Sequence, residues 1–207
     1  MNTAQPTIFI VDDDHFVRDA LKLMIEQENL AVQCYESGEA FLKRCPQIDN
    51  GCILLDVQMP GMNGLTLQQI LAERHMPLPI IFLTGNGNIP MSVRAIKAGA
   101  VDFLTKPVTR GKLIAAIETA LQENRKILQQ TSLAEDAGAL IARLTAREKD
   151  VMQLAIAGLP NKEIARKLDI SFRTVEVHKS RIMQKTGASN LIELARIARE
   201  SGIVPHA

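Results

Sequence analysis

The sequence has little cysteine and lacks any long apolar segment. Cys34, Cys45 and Cys52 are odd in number and fit no spacing of metal ligands, so we interpret them as reduced packing residues of a cytoplasmic protein. No run approaches the roughly 18 apolar residues that a membrane span requires. The N-terminus has no basic start followed by an apolar stretch, so we expect neither a signal peptide nor a membrane segment.

Net charge is also nearly absent, but the chain consists of two halves of opposite sign. Residues 1–125 hold 11 basic and 14 acidic side chains, whereas residues 126–207 hold 13 and 9. With 207 residues the chain is long enough for two domains that each bury a core. The contrast in charge is typical of a cation-using domain joined to a domain that binds a polyanion.

Short apolar runs alternate with helical patterns in the first half. Strands are predicted at 8–11, 31–35, 52–55, 80–83 and 101–104, each followed by a helix. This order predicts an α/β domain over residues 1–121, with a doubly wound, five-stranded parallel sheet and helices on both faces. A helical linker is predicted over 122–142, with a looser end near Gly138, and a second domain over 143–207.

Polar side chains follow four of the five predicted strands. Asp12 and Asp13 end the first strand, Asp56 the third, Thr84 the fourth and Lys106 the fifth. The carboxyl ends of parallel strands meet at one edge of a sheet, where ligands bind. Each residue alone has an ordinary explanation as a turn residue or helix N-cap, so only their joint occurrence favours a functional site.

The chemistry of this set points to phosphoryl transfer. Clustered carboxylates repel one another, which predicts a hard divalent cation, Mg²⁺ or Mn²⁺. A carboxylate beside such an ion can attack a phosphoryl group, and we predict Asp56 as the nucleophile. Asp13 is expected to be a direct ligand, and Asp12 a ligand through water or a tuner of the site. Lys106 would supply positive charge to the phosphoryl oxygens and Thr84 a hydrogen-bond donor.

The motifs VDDD at 11–14, LLDVQMPGMNG at 54–64 and LTGNGNIPMSVRAIKAGAVDFLTKP at 83–107 resemble the receiver domain of two-component response regulators, most closely the FixJ-like group. The resemblance implies a flavodoxin-like fold and a phosphoryl group that Asp56 accepts from a sensor histidine kinase. It also implies a cis Lys106–Pro107 bond, a switch pair of Thr84 and Phe103, and metal ligation by the Gln58 backbone carbonyl beside Asp12, Asp13 and Asp56. Asn86, Asn88 and Val108 depart from the group's frequent residues, which leaves the dephosphorylation rate and the surface around the switch open.

The second half predicts a small all-α domain of four helices. Thr145 and Glu148 have the spacing of a capping box. Asn161 is expected to cap a short second helix and Ser171 a third, and such a pair of helices around a tight turn is a helix-turn-helix. On the third helix we expect one face to pack against the second helix, with His178 as a satisfied packing histidine.

The opposite face of the third helix is polar and basic but includes Val177. A solvated face rarely needs such a residue, whereas a helix in the DNA major groove uses one against a thymine methyl group. Over the whole third helix there are four cations, Arg173, Lys179, Arg181 and Lys185, against one anion, Glu176, and such an excess suits phosphate contacts. A protein-docking bundle is the alternative interpretation of this domain.

The stretch LTAREKDVMQLAIAGLPNKEIARKLDISFRTVEVHKSRIMQKTGASNLIELARIA, at 144–198, resembles the LuxR-type helix-turn-helix domain over its whole length. By this resemblance the motif spans 161–180, Asn161 and Lys162 approach phosphate, and Glu176, Val177 and Ser180 face bases. The fourth helix would contribute a dimer contact. The complete set expected at DNA is Asn161, Lys162, Arg173, Thr174, Glu176, Val177, Lys179, Ser180 and Arg181.

Together these features predict a response regulator of the FixJ-like or NarL-like group, a transcription factor whose only catalysis is its own phosphoryl transfer and dephosphorylation. The expected partners are a sensor histidine kinase, double-stranded promoter DNA, RNA polymerase and, on phosphorylation, a second copy of the chain; no membrane is expected. A phosphorylation-controlled docking module is the competing hypothesis. We also expect the receiver to restrain the second domain, so that a fragment from Ala139 to Ala207 binds DNA without phosphorylation.

Overall fold

The structure is a computed structural model that describes residues 5–44, 50–76, 78–85 and 89–203. The chain divides into two compact units, Met1–Leu128 and Gln129–Ala207. Within the described residues, no helix combines the length and the apolar composition that crossing a bilayer requires. Asn86 and Asn88, two of the predicted departures from the receiver pattern, lie outside the described residues, as does Cys45.

The first unit contains a five-stranded parallel sheet in the order β2-β1-β3-β4-β5. Its elements are β1 (Thr7–Val11), α1 (His15–Glu26), β2 (Ala31–Tyr35), α2 (Gly38–Arg44), β3 (Gly51–Asp56), α3 (Gly64–Glu73), β4 (Ile80–Thr84), α4 (Ile89–Lys97), β5 (Asp102–Thr105) and α5 (Arg110–Ala142). The predicted doubly wound α/β fold is confirmed. Most strand ends differ from the predicted bounds, in each case by one residue.

Both faces of the sheet are covered, because successive side chains of a strand point to opposite sides. One core joins Phe9, Ile53 and Phe82 to residues of α2, α3 and α4. The other joins Ile10 and Leu54 of neighbouring strands to α1 and α5. Every residue of β3 is buried, so the strand that carries Asp56 is held on both faces.

The cysteines do not share one environment. Cys52 is buried in β3, as expected of a packing residue, and burial raises the pKa of its thiol to about 12. Cys34 is exposed on β2, at the edge of the sheet, so its interpretation as a packing residue is wrong. Its neighbour Gln33, which points to the opposite face, is exposed as well, so this part of the edge strand is open on both sides.

The connector is helical throughout, since α5 continues without interruption to Ala142. The expectation that it loosens near Gly138 is therefore wrong. A glycine inside a helix costs only about 1 kcal/mol relative to alanine. Ala137 and Ile141 on either side of it are 3% and 5% exposed in the core of the second unit, and this packing outweighs the cost.

The described part of the second unit, up to residue 203, has four further helices, α6 (Ala146–Ile156), α7 (Asn161–Leu168), α8 (Phe172–Thr186) and α9 (Leu191–Glu200). The capping box of Thr145 and Glu148 is present, and the Ser171 side chain caps α8. The expected cap of α7 by Asn161 is wrong, because Pro160 is the N-cap residue and Asn161 is the first helical residue. Proline fits the residue before a helix since its fixed φ is compatible with the extended cap conformation.

Candidate functional site

Three of the predicted site residues lie at the ends of adjacent strands. Asp12 directly follows β1, Asp56 is the last residue of β3 and Thr84 is the last residue of β4. They are 0%, 4% and 1% exposed, respectively. Polar groups buried this deeply require partners, and a carboxylate requires a positive charge as well. The strand ends therefore form a buried polar cluster at one edge of the sheet.

Lys106 provides the positive charge of this cluster. It follows β5, and its backbone N–H donates to the Thr84 carbonyl at 2.7 Å. Its Nζ donates to Asp12 Oδ2 at 2.6 Å and lies 3.0 Å from Asp56 Oδ1. One ammonium group thus bridges the two buried carboxylates, and the bond to Pro107 that follows is cis, as the resemblance to receivers implies.

The pKa values of Asp56 and Lys106 reflect burial together with this pairing. Burial raises the pKa of the Asp56 carboxyl, although the hydrogen bond and charge of Lys106 act against the rise. Burial alone would lower the pKa of Lys106, but its hydrogen bonds to Asp12 and Asp56 outweigh that effect and raise it. The lysine is therefore held in its charged form.

Asp13 completes a group of carboxylates that suits a divalent cation. One oxygen from each of Asp12, Asp13 and Asp56 lies within 4.8 Å of the others, and Asp13 is exposed whereas its two partners are buried. The three carboxylates carry three negative charges and Lys106 balances one of them. Two negative charges remain, which is one more than a monovalent cation could balance. Oxygen ligands and this excess charge fit Mg²⁺ or Mn²⁺, and the open side at Asp13 leaves room for water ligands.

The third aspartate of the run has a different task. Asp14 is the N-cap of α1, where its side chain accepts a hydrogen bond from the Phe16 N–H at 2.9 Å. Its own N–H donates to Asp12 Oδ1 at 3.0 Å. The helix-cap explanation of the run therefore applies to Asp14, while Asp12 and Asp13 face the cluster.

Gln58 and Phe103 are the remaining site residues that the resemblance implies, and their observed contacts support the implied roles less directly. The Gln58 N–H donates to Asp56 Oδ2 at 3.1 Å, which orients the carboxylate. Ligation of a metal by the Gln58 carbonyl stays a prediction. Phe103 is half-buried, lies opposite Phe82 across the β4–β5 pair and has its ring centroid 6.2 Å from that of Phe82. Since Thr84 is two residues beyond Phe82 on the same face, Thr84 and Phe103 are diagonal neighbours.

Two supporting residues were missed from the sequence. The Arg18 guanidinium donates to the Asp12 backbone carbonyl at 2.7 Å and fixes the turn between β1 and α1. At Gly64, a Cβ atom would lie 2.2 Å from the Asp56 backbone oxygen, so only glycine allows α3 to begin so close to Asp56. A cation one turn into a helix and a glycine at a helix start are the available signals, but both are common elsewhere.

In the second unit, α7 and α8 form the predicted helix-turn-helix. Val175 and Ile182 of α8 and Ile164 of α7 are buried in one core, as the helical projection predicts. Val177 is 41% exposed on the outer face of α8. The other exposed members of the predicted DNA-contacting set are Lys162, Arg173, Glu176, Ser180 and Arg181.

Three members of that set already have partners within the unit. Lys179 Nζ donates to Asn161 Oδ1 at 3.0 Å, which joins α8 to the start of α7. The Thr174 N–H donates to Ser171 Oγ at 3.0 Å, as part of the cap of α8. Because they share a hydrogen bond, Asn161 and Lys179 act as a pair, and the Lys179 ammonium group is held in a fixed position.

His178 differs from expectation in one respect. It is partly buried on the core side of α8, but its Nδ1 atom is buried and has no hydrogen-bond partner among the described residues. The interpretation of His178 as a packing residue agrees with its position, whereas the expectation that it is satisfied is wrong. Helical projection locates a side chain on a face but does not show whether a polar atom will meet a partner.

Comparison with known protein families assigns both units. The family model described as the response regulator receiver domain matches residues 8–118. The model described as bacterial regulatory proteins, luxR family, matches residues 142–198.

Similar proteins match nearly the whole chain. The chain is 39% identical to the transcriptional regulatory protein FixJ of Bradyrhizobium diazoefficiens, over 98% of each chain. It is 42% identical to the response regulator protein TmoT of Ectopseudomonas mendocina, over 95% of this chain and 90% of the relative. Among solved structures, the response regulator StyR is 41% identical with a TM-score of 0.81, covering 95% of this chain and 100% of StyR.

Proposed function

The chain belongs to the response regulators that join a receiver domain to a LuxR-type DNA-binding domain, and we propose that phosphorylation of Asp56 controls its binding to promoter DNA. It is a transcription regulator of a two-component system. The buried bridge of Lys106 between Asp12 and Asp56 carries the assignment of the nucleophile. Among the three clustered carboxylates, Asp56 alone is both buried and at the end of the central strand β3.

The geometry supports a transfer in which Asp56 attacks a phosphorylated histidine of a sensor kinase. A carboxylate oxygen of Asp56 forms a bond to phosphorus while the phosphorus–nitrogen bond breaks, and the leaving imidazole nitrogen keeps the electron pair. Lys106 Nζ, 3.0 Å from Asp56 Oδ1, is close enough to donate to an oxygen of the new phosphoryl group. The Gln58 N–H orients the attacking carboxylate.

A divalent cation, Mg²⁺ or Mn²⁺, would be held by Asp12, Asp13, Asp56 and the Gln58 carbonyl. When bound, it supplies charge that offsets the repulsion between carboxylates and phosphoryl oxygens. The protein's own residues orient the nucleophile through the Gln58 N–H, and Asp12 and Asp56 are buried while the side at Asp13 stays open. We propose no catalysis beyond this self-directed phosphoryl transfer and the later hydrolysis of the aspartyl phosphate, in which water takes the phosphoryl group as inorganic phosphate and the Asp56 carboxylate is regenerated.

The assignment of Asp56 is tested by labelling with acetyl phosphate in the presence of Mg²⁺. Intact-mass measurement should show one acid-labile phosphoryl group on the wild-type protein and none on Asp56→Asn. Asp19→Asn, on an exposed position of α1, is the matched control and should label normally. Equal labelling of Asp56→Asn and wild type would overturn the assignment.

The proposed DNA surface is the outer face of α8 with the start of α7. Its exposed cations, Arg173 and Arg181, suit phosphate, and the Lys179–Asn161 pair presents another. Val177 offers an apolar contact to a base, and Glu176 and Ser180 flank it. Thr174 and Lys162 are proposed as further contacts at the ends of this surface.

The proposed partners follow from the two units. A sensor histidine kinase supplies the phosphoryl group, and promoter DNA with RNA polymerase receives the output in the cytoplasm. One recognition helix reads only a few base pairs, so we propose that phosphorylation favours a homodimer that places two helices on paired half-sites. On α9, Ile192 is 84% exposed and offers an apolar dimer contact.

A phosphorylation-controlled docking module is the alternative function. The basic outer face of α8 favours DNA over a protein partner, and the match to the luxR family supports the same choice. A gel-shift with random DNA fragments separates the two, because a docking module would not retard DNA at moderate salt.

A further inference from the structure

One buried amide of the receiver unit takes no part in the carboxylate cluster. Gln68 lies on α3 and is 4% exposed. An amide buried this deeply costs free energy unless its donors and acceptor are bonded. The Gln68 Nε2 group donates to the carbonyl oxygens of Ala95 and Ala98, at 3.3 and 3.2 Å. A single side chain of α3 therefore ties down α4.

Both of these carbonyls lie at the C-terminal end of α4, where the backbone oxygens of a helix lack partners within the helix. Gly99, with φ of 94°, reverses the chain there, and the Ala100 N–H donates to the Ala95 carbonyl at 3.0 Å. The Gln68 amide adds a second donor at Ala95 and supplies one at Ala98. This end of α4 is thus held both by its own chain reversal and by α3.

The opposite end of α4 is close in sequence to the phosphorylation site. α4 begins at Ile89, on the segment that follows Thr84, and Thr84 lies at the strand end beside that of Asp56. A change of contacts at Thr84 therefore acts first on the N-terminal end of α4. A helix that is displaced at one end and fixed at the other must turn about the fixed end.

The outer surface of α4 would report such a turn. Val93 and Ile96 are 45% and 47% exposed there. Ala95, between them in sequence, is fully buried in the core beneath and shares its carbonyl with Gln68. A rotation about the C-terminal end changes the direction of these apolar side chains with little change in the core near Ala95.

We infer that Gln68 is the pivot of α4, fixing its C-terminal end so that phosphorylation of Asp56 turns the helix instead of displacing it as a whole. The inference rests on the proposed phosphorylation of Asp56. Gln68 is a positioning residue, because its hydrogen bonds are to the backbone of α4 and not to the carboxylates or the phosphoryl group. Its effect on DNA binding passes through α4.

The test compares Gln68→Met and Gln68→Glu with Gln69→Met in the full chain. Methionine keeps the length of glutamine but cannot donate, and glutamate directs a carboxylate at two carbonyl oxygens. Gln69 is the matched control, since it is exposed on α3 and its amide donates to Glu73 of the same helix. Each variant is labelled with acetyl phosphate and Mg²⁺ and its labelled fraction is measured.

Two measurements decide the role. In the unphosphorylated Gln68 variants, hydrogen exchange of the Ala98, Gly99 and Ala100 amides should be about tenfold faster than in wild type, as expected when a hydrogen-bonded end opens more often. The gain in DNA affinity on phosphorylation should fall at least about fivefold, a loss within the usual range of coupling between sites. Labelling of Asp56 should stay at the wild-type level, and Gln69→Met should match wild type throughout.

Unchanged exchange at the end of α4 would overturn the inference. So would an unaltered gain in DNA affinity with intact labelling. If wild type itself failed to label or showed no gain, the proposed function would fail instead, and the exchange rates alone would then decide whether Gln68 fixes α4.

Discussion

Individual residues around Asp56 are restricted by the closeness of the backbone. Gly64 and Gly111 both lie in the first turn of a helix, but a Cβ atom at Gly64 would be 2.2 Å from the Asp56 oxygen, whereas one at Gly111 would meet nothing within 4 Å. These two glycines thus provide a matched pair, in which the same added methyl group tests close approach at one site and helix propensity at the other.

Gly64→Ala should destabilise the receiver unit by about 2 kcal/mol or more, because the backbone must shift to admit the methyl group. It should also slow labelling of Asp56, whose main chain moves. Gly111→Ala should be neutral or stabilise the unit by up to about 1 kcal/mol. Urea unfolding, monitored through hydrogen exchange of the sheet amides, measures the stability change of each variant. Equal effects of the two substitutions would contradict the close approach at Gly64.

Glu148 is the buried charge of the second unit. Its carboxylate accepts from Lys185 Nζ at 2.7 Å and from the Thr145 N–H at 2.8 Å. The hydrogen bond from Lys185 lowers the pKa of Glu148, with Thr145 contributing, against the effect of burial. Since the folded-state pKa is depressed, the stabilisation is complete above the unfolded pKa of about 4.3 and is lost as the pH falls through the folded value.

Glu148→Gln should therefore destabilise the second unit by about 2 kcal/mol at pH 7, the usual contribution of a hydrogen bond to a charged group. The difference from wild type should shrink as the pH falls from the unfolded pKa of about 4.3 through the lowered folded-state pKa, where the wild-type carboxylate itself becomes protonated. Urea unfolding of the full chain, followed through amide exchange in α6 and α8, gives the measurement. Glu163→Gln, on an exposed position of α7, is the control, and a difference independent of pH would rule out the charge as the cause.

At the residue scale, the sequence predicted which residues lie at the site better than it predicted which atoms their side chains contact. Asp12, Asp56, Thr84 and Lys106 could be found because their strands end at one edge, which follows from topology alone. The bridge of Lys106 to both carboxylates, and the lack of a partner for His178 Nδ1 in the described residues, depend on side-chain packing between distant elements. No local pattern encodes those contacts.

Among the elements, α8 is the proposed recognition helix, and we propose that its outer face and its edge have different tasks at DNA. Val177 and Ser180 are exposed on its outer face, and Lys179 is bonded to Asn161 at its edge. Base contacts carry sequence preference, whereas phosphate contacts do not. The effects of substitutions on affinity and on specificity should therefore separate along this helix.

Val177→Ala and Ser180→Ala should relax sequence preference by about 1 kcal/mol or more at the affected base. Lys179→Ala should weaken binding to all DNA about equally and reduce the salt slope by roughly one. Affinities for one preferred and one scrambled sequence at several salt concentrations measure both effects, with Lys126→Ala in α5 as the control for lost charge. If Lys179→Ala changed only the preferred sequence, the division into phosphate and base contacts would be wrong.

The order of strands and helices was predictable, because the hydrophobic periodicity and the lengths of the apolar runs indicate the same elements throughout the first 121 residues. Element ends were less so. Proline and asparagine are adjacent at the start of α7, and the chain uses Pro160 as the N-cap while Asn161 bonds Lys179 from another helix. Gly138 likewise gave a local signal for a helix end that core packing of Ala137 and Ile141 overrides.

At the scale of the whole molecule, α5 belongs to both units. Leu113 and Ile117 near its start lie in a core of the receiver unit, and Ala137 and Ile141 near its end lie in the core of the second unit. A DNA-binding fragment should therefore begin at Gln129, because one that begins at Ala139 would lose Ala137 from the core. The shared helix is the covalent route by which a change in the receiver can reach the DNA-binding unit.

We expect the fragment Gln129–Ala207 to bind DNA without phosphorylation, and the full unphosphorylated chain to bind at least about tenfold more weakly, within the 1 to 3 kcal/mol typical of coupling between sites. Phosphorylation can shift the equilibrium between a restrained and a released form of the chain only by the difference in free energy of the phosphoryl group's contacts in the two forms. A few kcal/mol are enough for such a shift. Binding isotherms for the fragment and for both forms of the full chain, at one salt concentration, measure the restraint. The fragment Ala139–Ala207 serves as a control, since it should be less stable although it keeps the same DNA surface. Tighter binding by the unphosphorylated full chain than by Gln129–Ala207 would exclude inhibition by the receiver and leave dimerisation as the only switch, because the recognition helix itself is the same in every species compared.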